Sequence, residues 1–151
     1  MFESPTLPSK ILSEVKKNEK KYQKMSQIAY YLSLEDIGKK AIFTKSMCDV
    51  ECNVVFCFSP EKITNQHKKN ALYFVAKTLD EEVPNLKNKF SIAYLHDSLK
   101  EYKNFRNFLE LLPAAYLIKL KSLYIVNGGT SLKFYSKLFF GPINSYIEEK
   151  L

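Results

Sequence analysis

KSLYIVNGGTSLKFYSK, residues 121–137, is the stretch that decides the fold. A β-branched and aromatic run, Ser122-Leu123-Tyr124-Ile125-Val126, stops abruptly at Asn127-Gly128-Gly129. Residues 131–140 then read as a helix. Strand, tight glycine turn and helix in succession form the joint on which α/β folds place ligands. Immediately upstream, FLELLPAAYLIKL (108–120) is an apolar helical segment broken by Pro113, which must end one helix and can start the next.

Working outward, the same alternation recurs. Residues 53–58 (NVVFCF) form a continuous apolar run without polar alternation, as expected for a central strand covered on both faces. Residues 41–44 supply a second β-type run, with Asp49-Val50-Glu51 as the hairpin turn between them. From Thr64 or Asn65 to about Glu82 a helix is expected, with Ala71, Leu72, Phe74, Val75 and Leu79 as its apolar stripe. FSIAYL (90–95) is the next strand, and Asp97-Ser98 caps a helix over 99–112. Residues 113–119 form a further helix, residues 123–126 the third central strand, and residues 143–151 a last short helix. At the other end, residues 9–32 read as one long helix after a flexible lead-in over 1–8. Strands alternating with helices predict an α/β domain over 9–151 with a mostly parallel central sheet flanked by helices.

The block from Leu112 to Val126, taken with the strand at 53–58 and the lysine-containing tail from Lys133 to Lys150, resembles the divergent CRAL-TRIO family, including its BCH-like branch. The resemblance spans roughly residues 53–147. It differs in the turn, where Asn127-Gly128-Gly129 stands in place of the family's His-Pro. A further strand and helix of larger members have no counterpart here, which favours a reduced, BCH-like form. The resemblance implies a non-enzymatic binding domain. Its ligand is expected to be a hydrophobic molecule or a phosphoinositide, held in a pocket closed by a mobile helix. Phe56, Phe58, Tyr94, Tyr124, Phe134 and Phe139 are the expected ligand contacts. The alternative is a protein-interaction module that binds small GTPases, their regulators or a second copy of itself.

Other residues bear on possible chemistry. Asn127, Gly128 and Gly129 can present backbone N–H groups to an anion, with Lys133 and Lys137 one turn apart on the following helix. The residues Phe134, Tyr135, Phe139 and Phe140 give that helix apolar groups on more than one face, which suits a gate or peripheral membrane contact. Cys48, Cys52 and Cys57 have no neighbouring His and read as thiols, not metal ligands. His96-Asp97 lacks a nucleophile partner, and no catalytic group is assigned. Asp80-Glu81-Glu82 reads as a solvated helix end. No cofactor motif is found, neither the dinucleotide fingerprint nor the P-loop.

Composition narrows the partners. The 151 residues are 46% hydrophobic and 26% charged, enough for a sizeable core in a single domain. A formal charge of +7 and an isoelectric point near 9.2 favour anionic partners. Arg106 is the single arginine, which argues against nucleic-acid recognition, where bidentate arginine contacts dominate. An odd cysteine count and a start lacking a basic, then apolar, signal pattern predict a cytoplasmic protein.

Overall fold

The computed structural model describes residues 9–35, 37, 42–48, 53–63, 70–96 and 98–126. Four strands form one sheet in the spatial order β1-β2-β3-β4: Phe43–Cys48, Val54–Phe58, Phe90–Leu95 and Leu120–Val126. β1 runs antiparallel to β2, whereas β2, β3 and β4 are parallel. The protein is therefore α/β with a mostly parallel sheet. Four α-helices are described: α1 (Ser9–Tyr31), α2 (Ala71–Glu82), α3 (Leu99–Leu109) and α4 (Ala114–Lys119).

Each element has a local cause. Along α1, Ile11, Val15, Tyr22 and Ala29 recur at helical spacing and are buried, while the lysines between them are exposed. In α3 the Ser98 hydroxyl accepts a hydrogen bond from the Glu101 N–H at 3.3 Å, which fixes the start of the helix. Pro113 then opens α4, and the Tyr116 and Leu117 N–H groups donate to its carbonyl.

Several boundaries differ from the sequence expectation. α3 ends at Leu109, three residues early, because the Leu111 and Leu112 N–H groups bond three residues back in a tightened turn before Pro113. β1 extends to Cys48, since its residues pair across to Val54 and Val55, with an irregularity between Lys45 and Met47. β4 begins at Leu120, not Leu123, because Leu120 and Ser122 pair with Phe90 and Ser91 of β3. The hairpin turn at 49–51 and the start of the helix expected from Thr64 or Asn65 lie outside the described residues, as does everything after Val126.

The sheet's direction of travel positions everything else. From β2 to β3 to β4 the chain moves one place in the same direction each time. Right-handed crossovers of that kind put both sets of connecting helices on one face. The contacts agree: Phe105 of α3 stacks on Phe58 and Tyr94, and Tyr22 of α1 meets Phe108 of α3 and Tyr116 of α4. Tyr22 and Ser26 of α1 also bond Asp80 of α2. The four helices are thus contiguous with one another, and α3 packs directly on the sheet through Phe105.

Candidate functional site

Alternation along the strands sorts the sheet into two unlike faces. Phe43, Phe56, Phe58, Phe90, Ile92, Tyr94 and Leu123 point under the helices and are fully buried. Their rings pack in series. Phe43 stacks on Phe56 at 5.3 Å between centroids, Phe58 on Phe105 at 4.9 Å and Tyr94 on Phe105 at 5.0 Å. Separations of this kind are those of well-packed aromatic pairs.

The opposite face is built from cross-strand rows. Thr44, Cys57, Ala93 and Tyr124 lie in one row; Val55, Ser91 and Ser122 lie in the next; Leu95 pairs with Val126 beyond them. The side chains at the centre are small, and larger apolar groups rim them. Cys57, Ala93 and Leu95 are half-buried, and Tyr124 and Val126 are 45% and 38% exposed. At the centre, Ser91 is fully buried, yet its Oγ has no hydrogen-bond partner. A buried hydroxyl without a partner is destabilising by about 1–3 kcal/mol and calls for an explanation. Chemically, this face offers a shallow apolar floor, one unused hydroxyl and the Cys57 thiol.

The sequence-predicted contacts divide between these faces. Phe56, Phe58 and Tyr94 come together, but under the helix layer and against one another. Tyr124 lies on the opposite face. Phe134, Phe139, Asn127, Gly128, Gly129, Lys133 and Lys137 lie outside the described residues.

Two polar groups have roles in the fold that the sequence reading did not assign to them. Asp80, expected on a solvated helix end, instead joins three helices. Its carboxylate accepts hydrogen bonds from Tyr22 OH at 2.9 Å, Ser26 Oγ at 2.7 Å and Tyr116 OH at 2.7 Å. Burial, reinforced by the Asp80 charge and hydrogen bond, pushes the Tyr22 phenol pKa well above its ordinary value. Burial and then the hydrogen bond to Asp80 do the same to Tyr116. Both phenols therefore remain donors to the carboxylate. Arg106 is the second group. It is completely buried, and its Nη1 donates to the Tyr102 hydroxyl at 3.0 Å. Nearby, burial and then the Glu14 charge raise the Glu110 pKa, while Arg106 opposes the shift. One signal for the floor was present in the sequence, a serine inside the otherwise apolar FSIAYL strand. Nothing local marked Asp80, whose donors are 54, 58 and 36 residues away.

The sequence matches no protein-family model and no curated protein.

Proposed function

We propose that this chain is a non-enzymatic binding domain that takes a hydrophobic ligand, a lipid, against the face of its sheet opposite the described helices. The observation that carries this reading is the far face itself: apolar, half open, with a buried unpartnered hydroxyl at Ser91. Parallel strands are ordinarily covered on both faces. An alkyl chain lying over Cys57 and Ala93 would complete the cover, and a polar group on it would satisfy Ser91. Tyr124 remains a ligand contact in this reading. Phe56, Phe58 and Tyr94 become the rigid underside that holds the floor flat. The helix predicted from sequence over 131–140, starting five residues after Val126, acts as the mobile cover, in keeping with the CRAL-TRIO resemblance. A phosphoinositide headgroup would then meet Lys133 and Lys137, with the protein cytoplasmic and peripheral at membranes. No described helix is long and apolar enough to cross a membrane.

Native mass spectrometry of the full chain incubated with oleate, α-tocopherol or phosphatidylinositol tests this. A one-to-one complex with one of them, lost in Tyr124→Asp, is the expected result. No complex with any of the three, or complexes equally populated in the variant, would refute it.

A second reading has its own observation. Among the described residues β4 is an edge strand, and its exposed side chains are Tyr124 and Val126. That edge suits strand pairing with a protein, as in a BCH-like module engaging a small GTPase, a regulator or a second copy. Concentration-dependent dimerisation, lost in the same variant without added lipid, would favour it.

A further inference from the structure

Helix α1 carries two stripes that face opposite ways. Val15, Tyr22 and Ala29 recur every seven residues and are buried, and Tyr22 and Ser26 bond Asp80 of α2. Two residues further on each time stand Lys17, Lys24 and Tyr31, all exposed. Two residues turn an α-helix by about 200°, so this second set runs along the side away from the core. Lys16, Lys20 and Lys21 are exposed beside it. The one acidic residue between Lys16 and Tyr31 is Glu19, which falls off the stripe, two residues past Lys17.

The stripe changes character along its length. It begins as a basic run and ends in an apolar turn, where Ile28 is 44% exposed, Tyr30 76% and Tyr31 84%. These are three of the five large apolar side chains exposed among the described residues, gathered on one helix end. The Tyr30 and Tyr31 rings meet edge to face at 5.2 Å between centroids and present one aromatic patch. Apolar groups scattered singly need no explanation, whereas grouped ones mark an interaction site. From Lys17 to Tyr31 the stripe is about 21 Å long, at 1.5 Å per residue. Lysines without arginine offer point charges and not bidentate forks, which suits a diffuse anionic surface. The aromatic end narrows the partner further. Tyrosine concentrates where water meets lipid, with its ring at the acyl boundary and its hydroxyl among headgroups. The inner stripe is already packed against the protein, so α1 can lie on a bilayer but not sink into it.

We propose that the outward stripe of α1 docks the protein on an anionic lipid bilayer. Lys17, Lys20 and Lys24 meet the lipid headgroups, and Ile28, Tyr30 and Tyr31 enter the interfacial layer at the end of the helix. This contact goes beyond the lipid reading, whose site is the sheet and the segment after β4, and it needs no ligand there. Salt screens its charged part but not its aromatic part, so binding should weaken with ionic strength without vanishing.

Flotation of the full chain with phosphatidylcholine vesicles, with and without about 25% phosphatidylserine, tests this. The parent should bind the anionic vesicles and leave the neutral ones largely unbound. Lys17→Ser/Lys20→Ser/Lys24→Ser should weaken binding roughly tenfold or more. Lys62→Ser/Lys87→Ser/Lys100→Ser, the same charge change at exposed positions off α1, should weaken it less than about threefold. Tyr30→Ser/Tyr31→Ser changes no charge and should weaken it roughly fivefold or more. Absence of binding to the anionic vesicles, equal losses in the two lysine variants, or parent-like binding by the tyrosine variant would each overturn the proposal. So would tighter binding to polyuridylate than to vesicles, lost in the α1 lysine variant, which would assign the stripe to nucleic acid. Circular dichroism and the urea midpoint verify the fold of each variant. Uptake of oleate, read by native mass spectrometry, should be the same in the parent and the α1 variants, so bilayer docking and ligand binding fail separately.

Discussion

The two faces of the sheet use the same strands for opposite purposes. Under the helices, Phe43, Phe56, Phe58, Phe90, Ile92, Tyr94 and Leu123 are large aromatic or aliphatic groups, and rings stack at about 5 Å in the Phe58–Phe105 and Tyr94–Phe105 pairs. On the other face the same strands present Cys57, Ser91, Ala93 and Ser122, with exposed Tyr124 and Val126 at the margin. Because side chains alternate, β3 packs Ile92 and Tyr94 into the core while showing Ala93 and Leu95 to the other side. One strand can therefore carry stability and a binding floor at once, with little interference between them.

That contrast can be broken most severely from the helix side. Phe58→Ala removes a ring that contacts Phe43, Tyr94 and Phe105 together, and should destabilise the protein by about 3–5 kcal/mol in urea denaturation. A loss below about 1 kcal/mol would mean the aromatic stack is not the core. Next in size is Asp80→Ala, which leaves the Tyr22, Ser26 and Tyr116 hydroxyls without their carboxylate. We expect about 2–4 kcal/mol, from three lost hydrogen bonds to one charged acceptor. Tyr22→Phe in the Asp80→Ala background should add little, since the two side chains share one interaction, and full additivity would separate them.

Smaller effects sharpen the comparison. Tyr124→Ser on the open face should shift stability by no more than about 0.5 kcal/mol. A large loss would make that face structural. The smallest effect is electrostatic. The folded-state pKa of Glu110 is raised by burial and by Glu14, so the native protein retains a proton there that the unfolded chain releases. Stability at this site is therefore highest below about pH 4, near the ordinary glutamate value, and declines as pH rises through the folded pKa. Glu110→Gln removes that decline. Its stability relative to the parent should improve from pH 4 to pH 7, and an unchanged difference would exclude the linkage.

Most of the fold was legible because its signals are local. The apolar NVVFCF and FSIAYL runs, the Ser98 cap and the Pro113 break are each read from a few adjacent residues, and the structure places elements there. The α1 stripe was equally clear, ending at Tyr31 against an expected Leu32. What escaped was non-local. Asp80 sits in an acidic triplet that looks solvated until α1 and α4 bring hydroxyls to it. The burial of Arg106, the single arginine, has no local signal and depends on the Tyr102 hydroxyl and the core that closes around it. The division of Phe56, Phe58 and Tyr94 from Tyr124 also needed the register between strands, because sequence alone gives each strand's alternation but not which set faces the helices.

The thiol of Cys57 is the most direct probe of the open face, since it is half-buried in the row with Ala93 and Tyr124. With Cys48→Ser and Cys52→Ser it becomes the sole thiol, and its alkylation rate by N-ethylmaleimide can be followed under native conditions. If a lipid occupies that face, saturating oleate or phosphatidylinositol should slow the reaction several-fold while the melting temperature rises. An alkylation rate that no lipid alters, with melting unchanged, would contradict the assignment of the face opposite the described helices as the ligand floor.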